Sequence, residues 1–258
     1  MLADKVNGTS AGLWLLAPEH LRLGTWDLLC GWSGQPADTV GPRLALQLVH
    51  EAALCVTGVR QGRTLGQTGF ELANGLPFIA SDLAIHELRD AHTVQQAQEL
   101  QAAQYQYKGF VTTATLDGPD PLITDFPKRW HVEEFFHDHQ ELGWQKAGTP
   151  NLNIRCGRMT LALLAQAALH QLRQRLGEPV VHWQASHWAK SVLAGMDGGI
   201  RVHDDTIVAA FYSAPLAKEL RPHYENLPAQ LEAEGIKPEI PWLYHFKLDF
   251  RFKQSPKV

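Results

Sequence analysis

The run Phe126-Pro-Lys-Arg-Trp-His-Val-Glu-Glu-Phe-Phe-His-Asp-His-Gln140 has helical periodicity and the densest polar chemistry in the chain. Thr124 or Asp125 can cap a helix here, and Pro127 fits only in a first turn, where its missing N–H costs nothing. The pattern runs to about Leu142 and stops at Gly143. On that helix Phe126, Arg129, Glu133 and Gln140 stand at i, i+3, i+7 and i+14. At about 100° per residue they fall within an arc of roughly 60°, so one stripe carries an aromatic ring, a cation, a carboxylate and an amide. The same helix holds one Glu-x-x-His step, Glu134 to His137, inside the cluster His131 to His139. A di-iron bundle needs two such steps and two more glutamates, and no second step occurs. The cluster therefore reads as a solvated helix face. A metallohydrolase built on it would need stoichiometric zinc or iron in the purified protein.

Upstream of this helix, Gly109-Phe-Val-Thr-Thr-Ala-Thr115 is rich in β-branched residues and stops at Asp117-Gly-Pro119, a strand followed by a turn. Trp130, Phe135 and Phe136 are expected to pack the helix against that strand. Downstream, a helix spans roughly Arg155 to Leu176, with Leu161, Leu164, Ala168, Leu172 and Leu176 on one face and Gly177-x-Pro179 as its stop. Asp205 to Tyr212 and Trp242 to Phe252 read as strands, the second alternating apolar and polar side chains from His245 onward. The first hundred residues read as helical: one run from Arg43 to Thr57 closes on Gly58, another covers Thr93 to Gln104, and Gly62 to Pro77 is a loop.

Composition sets the outer bounds. The 258 residues are 45% hydrophobic and 19% charged, which excludes a mostly disordered chain. No run reaches the roughly 20 apolar residues of a membrane span, and Met-Leu-Ala-Asp-Lys5 lacks the apolar core of a secretory signal, so a cytoplasmic protein is expected. Cys30, Cys55 and Cys156 are scattered free thiols, with no disulfide framework or thiolate zinc site. Net charge is −4, so any contact with nucleic acid must use a local patch. Residues 1–104 carry six basic and ten acidic side chains, leaving 17 of each for residues 105–258. Two short motifs fail. Gly8-Thr-Ser-Ala-Gly12 matches G-x-S-x-G, but residues 1–7 are too short and polar to be the buried strand a nucleophile elbow needs. His86-Glu87 opens like H-E-x-x-H, but position 90 is Asp.

The stripe resembles the Tyr-x2-Arg-x3-Glu-x6-Lys signature of bacterial insertion-sequence transposases of the DDE type. Phe126 stands for the Tyr and Gln140 for the Lys, removing a phenol and a cation expected near DNA phosphate. Leu142-Gly-Trp144, Asn151-Leu-Asn-Ile-Arg155, Gln171-Leu-Arg-Gln-Arg-Leu176, Ile240-Pro-Trp-Leu-Tyr244 and Leu248-Asp-Phe-Arg-Phe252 look like the C-terminal half of such enzymes. Leu23-Gly-Thr-Trp-Asp27 and Phe70-Glu-Leu-Ala-Asn-Gly-Leu-Pro77 are similar to their helical N-terminal region.

The resemblance implies an RNase H-like core in which two strand aspartates and one helix glutamate hold two Mg²⁺ or Mn²⁺ ions for phosphodiester transfer. By that resemblance Glu133 takes the place of the glutamate and metal ligand, Arg129 faces DNA or orients the Glu133 carboxylate, and the strand at 109–115 is the last core strand. Upstream text is helical, and Asp82 is the only aspartate there that follows an extended apolar stretch. A change of texture between Gln101 and Lys108 looks like a join. The expectation is a transposase with its central catalytic segment deleted and strand transfer lost. Its class is mostly α with few strands, a remnant of an RNase H-like α/β core flanked by a helical region over 1–104 and a C-terminal part over 105–258. One or two strands are expected before the motif helix, then a helical C-terminal layer ending in a short strand pair. Lys128, Arg129, Arg155, Arg158, Arg173 and Arg175 are the local basic groups that allow DNA contact, with Lys128, Arg155 and Arg158 as the leading candidates. The implied partners are transposon-end DNA, a second copy or an intact transposase, at the nucleoid and not at a membrane. The alternative is a non-catalytic remnant that binds DNA or pairs with a transposase. Faces built to cover missing strands should leave apolar surface exposed.

Overall fold

The computed structural model describes residues 6–8, 10–56, 65, 69–91, 140–143 and 150–252. The strand at 109–115, the helix at 93–104, the proposed join and most of the motif helix lie outside these residues.

The described chain is mostly helical with one small mixed sheet of five strands. In chain order it runs β1 (Val6–Gly8), a 3-10 turn (Ala11–Leu15), α1 (Leu16–Arg22), α2 (Thr25–Ser33), α3 (Val40–Ala53), α4 (Phe70–Ala73) and α5 (Asp82–Asp90). After the helical turn at Gln140 and Glu141 come α6 (Leu152–Leu176), α7 (Ala185–Trp188) with a π-helical continuation over Ala189–Leu193, β2 (Gly198–His203) and β3 (Thr206–Phe211). α8 (Ala217–Tyr224), α9 (Leu227–Ala233), β4 (Glu239–Ile240), a 3-10 turn (Pro241–Leu243) and β5 (Phe246–Phe252) close it.

α3 is the central helix, and it is buried almost all round. Ala45, Val49 and Ala53 are fully covered, and the polar Arg43, Gln47, His50 and Glu51 are buried too. A helix without a solvent face must satisfy its polar side chains inside the protein. Its main partner is α6, 25 residues long. Asn151 caps α6 by accepting from the N–H groups of Asn153 and Ile154, so the helix opens three residues before the expected Arg155. Leu161, Leu164, Ala168, Leu172 and Leu176 are all buried, and Gly177 ends the helix.

Other boundaries shift for local reasons. The helix expected over Arg43 to Thr57 ends at Ala53, because Cys55 adopts φ 56° and reverses the chain before Gly58 is reached. Within the expected loop at 62–77, residues 70–73 form one helical turn. β5 begins at Phe246 and not at Trp242: Pro241 starts a 3-10 turn, and Tyr244 and His245 are both left-handed at φ 56° and 62°. His86 and Glu87 are exposed on α5, and Gly143 (φ 85°) ends the helical turn at Gln140–Glu141 as expected. The G-x-S-x-G segment follows a strand of only three residues; Ser10 is buried at φ −107°, without the strain of an elbow.

The sheet order is β1-β2-β3-β5-β4, antiparallel except for the parallel pair β3 and β5, which α8 and α9 connect. Register sets one face inward: Ile207 opposes Leu248, Ala209 opposes Phe250 and Phe211 opposes Phe252. Phe211 stacks on Phe250 at 5.7 Å, and Tyr224 meets that ring edge-on at 5.8 Å. The expected terminal strand pair is thus part of a wider sheet. β2 escapes a sequence reading because it starts Gly-Gly, and the fold needs that: a Cβ on Gly198 would stand 2.7 Å from Ala11 Cβ and 3.0 Å from the Ala210 carbonyl. One hydrophobic core joins the N-terminal helices to the sheet. Phe78, Leu83 and Leu152 are the most exposed large aliphatic or phenyl side chains among the described residues. No described helix is long and apolar enough to cross a membrane.

Candidate functional site

Of the sequence-predicted site residues, Phe126, Lys128, Arg129 and Glu133 lie outside the described residues. Gln140 is helical and exposed. Arg155 is exposed one turn into α6, and Arg158, a turn further, is half-buried, with its pKa pulled down by burial against the opposing charge of Glu51. Asp82 opens α5, with Ser81 as its cap. Among the described residues no three His, Cys, Asp or Glu side chains gather as a cation site.

The structure instead assembles two buried polar clusters from adjacent residues of α1, neither legible in the sequence. Glu19 and His20 are both fully covered. Glu19 Oε1 accepts from Arg22 Nη1 at 2.9 Å and from the Tyr224 hydroxyl at 2.7 Å, and Arg175 Nε stands 3.3 Å away. Arg22 then turns its other edge outward, donating from Nε and Nη2 to Glu234 at 2.7 and 3.0 Å, and Arg175 Nη1 reaches the same carboxylate at 3.4 Å. Two carboxylates against two guanidiniums leave the cluster neutral. Burial, then the Glu19 charge, pushes the Tyr224 phenol well up, which fixes it as a donor. Arg22 bonding holds the Glu234 carboxyl below its ordinary value.

His20 belongs to the second cluster. Its ring centroid is 5.1 Å from that of His50 on α3 and 6.4 Å from Trp242, which it meets edge-on. His50 Nδ1 is 2.7 Å from Asn74 Oδ1, and Asn74 Nδ2 donates to the Phe70 carbonyl at 2.8 Å. That second bond fixes the amide orientation, so Nδ1 of His50 carries the proton and Nε2 is a bare lone pair. His20 Nδ1 pairs with Thr25 Oγ1 at 3.2 Å. Neither Nε2 has a partner among the described residues. Burial lowers both imidazoles: His50 to about 4, and His20 well below its ordinary value, with the nearby His50 adding to the shift. Both rings are therefore neutral at pH 7.

Arg43 closes this side of the core. It is 4% exposed, donates from Nε to the Trp242 carbonyl and from Nη1 to those of Ala37 and Thr39, and lies over the rings of Trp26 and Tyr244 at 5.6 and 4.7 Å. The arrangement can hold helices and turns in register, and it can present cations at the rim. The hydroxyl–imidazole pair within it, Thr25 and His20 at 3.2 Å, is fully buried and closed to a substrate. No sequence spacing could have found it, since Glu19 meets Tyr224 across 205 positions and His50 meets Asn74 across 24.

No family model matches the chain, and neither a curated protein nor a solved structure does.

Proposed function

We propose that this chain is a DDE-type transposase by descent, an RNase H-like remnant that lacks its central catalytic segment and no longer transfers DNA strands. The observation that carries the reading is the stripe Phe126, Arg129, Glu133 and Gln140, with its flanking blocks in family order. The blocks have a physical role that fits this descent. Leu23–Asp27 forms the junction of α1 and α2, Ile240–Tyr244 buries Trp242, Asn151–Arg155 caps and opens α6, and Leu248–Phe252 is most of β5. Trp26, Trp242, Leu248, Phe250 and Phe252 of these blocks are core residues and Asn151 is a cap, positions that a remnant able to fold would keep. Mg²⁺ or Mn²⁺ would supply activation of water or a 3′-hydroxyl in an intact relative. Among the described residues of this chain no three His, Cys, Asp or Glu side chains gather to hold such ions.

Incubated with supercoiled plasmid and Mg²⁺ or Mn²⁺, the purified protein is expected to leave the DNA closed. Metal-dependent nicking that disappears in Glu133→Ala overturns the proposal.

A second reading, a non-catalytic DNA-binding or transposase-pairing protein at the nucleoid, is favoured by the exposed Arg155 and half-buried Arg158 one turn apart on α6. Duplex affinity that weakens with salt and falls about tenfold in Arg155→Glu/Arg158→Glu supports it. Salt-independent or absent binding removes it.

A further inference from the structure

The outward edges of Arg22 and Arg175 are built like an oxyanion receptor. Glu19, fully buried and itself held by the buried Tyr224 hydroxyl, accepts from the inner edge of Arg22 and stands 3.3 Å from Arg175 Nε. With that edge fixed, the planar fork of Arg22 projects two parallel N–H groups to the rim, and Arg175 adds a third. A fork of this kind fits carboxylate and phosphate oxygens equally, and fixing it in advance reduces the entropy lost on binding. What sits there is the side chain of Glu234, 35% exposed, at the C-terminal end of the seven-residue α9 and just before Gly235 at φ 75°. Take Glu234 away and two arginines face one buried carboxylate, an excess of one positive charge beside His223 on α8, whose pKa burial and the two arginines already lower.

We infer that Arg22 and Arg175 form a binding site for a phosphate group, and that Glu234 occupies it as a built-in competitor. The phosphate can be free or part of a nucleic-acid backbone; the chemistry at the fork is the same. Glu234 leaves by rotation of one exposed side chain, with the buried layer beneath it intact.

The test compares melting in inorganic phosphate with melting in sodium chloride of equal ionic strength. Glu234→Gln is expected to gain about 3 °C in phosphate, corresponding to occupancy at roughly ten times Kd. The wild type should gain less, because its own carboxylate competes. Glu234→Gln/Arg175→Gln should lose the gain, and Glu234→Gln/Arg22→Lys should lose most of it, since an ammonium keeps the charge without the fork. No gain in Glu234→Gln, or an equal gain in the double variants, overturns the inference, the latter marking an adventitious ion elsewhere. Should Glu234→Gln not melt cooperatively, phosphate is titrated onto the wild type by calorimetry: saturable heat absent from Arg175→Gln supports the site, and no heat overturns it. A duplex oligonucleotide separates the sources. Affinity that tightens severalfold in Glu234→Gln assigns the site to backbone phosphate, and unchanged affinity alongside the phosphate gain assigns it to a free phosphate.

Discussion

Glu141 grips Ser186 with both carboxylate oxygens: Oε2 accepts the backbone N–H and Oε1 the hydroxyl, each at 2.8 Å. Ser186 lies in the first turn of α7, whose own cap residue, Gln184, makes no side-chain hydrogen bond. The cap therefore comes from 45 positions upstream, next to Gln140, and it anchors the helical turn at Gln140–Glu141 to α7.

Glu141→Ala should cost about 1–2 kcal/mol, the worth of a helix cap with a charged acceptor. Urea denaturation gives the loss, and amide exchange at Ser186 should quicken more than at Leu169 in the middle of α6. Equal protection before and after the substitution would show the contact to be idle.

The histidine pair makes stability depend on pH. Both pKa values are lower in the folded chain than in the unfolded one, so the unfolded state binds more protons below about pH 6.5. Stability is complete above that pH and is lost as pH falls toward about 4, the folded value for His50. Between pH 6.5 and 5 the loss is about 2 kcal/mol for His50, and His20 adds in the same direction. No compensating charge is at hand: Glu19 faces the arginines, Glu51 accepts from Gln47, and Arg43 is held by carbonyls. Urea midpoints at pH 7 and 5 check this, and His50→Gln should flatten the slope. An unchanged slope in His50→Gln counts against the neutral pair.

Glu19→Gln leaves two guanidiniums facing a neutral amide in a covered site, and it should destabilise by about 3 kcal/mol or more. Tyr224→Phe removes one 2.7 Å bond and should cost about 1–2 kcal/mol. Chemical denaturation ranks the two. Tyr224→Phe costing more than Glu19→Gln would contradict the picture of Glu19 as the node.

Two glycines with positive φ separate backbone strain from steric exclusion. Gly24 is at φ 63° with open space around it, whereas a Cβ on Gly75 at φ 67° would lie 2.0 Å from the Trp242 carbonyl oxygen. Gly24→Ala should cost about 1–2 kcal/mol from conformation alone. Gly75→Ala must also push the Trp242 turn aside, and its total is expected to exceed about 3 kcal/mol. Comparable melting temperatures for the two variants would place the Trp242 turn elsewhere.

Much of the local structure was legible. α6 carries its own signals, a 3.6-residue apolar period and a Gly177 stop, read within a few residues of where they act, while its Asn151 cap emerged only with the structure. β3 and β5 followed from β-branched and alternating residues, and the exposed pair His86 and Glu87 from a missing second histidine. β1 and β2 did not, because a three-residue strand and one opening Gly-Gly are weak local formers that exist through their pairing, Val6 with Ile200 and Gly198 with Phe211.

The candidate chemistry divides along the same line. From the sequence alone comes the expectation of a helix stripe of Phe126, Arg129, Glu133 and Gln140, of which only Gln140 lies within the described residues; residues spaced by whole turns share a face of any helix that carries them. Tertiary structure alone decided that Glu19 and His20, neighbours on one short helix, would enter two different buried clusters. Their partners Arg175, Tyr224, His50 and Trp242 are brought to them by the packing of α1 against α3, α6, α8 and the Trp242 turn. Such pairings carry no sequence period, and burial of the whole core then sets their strength, through the desolvation that makes each unpaired polar group costly.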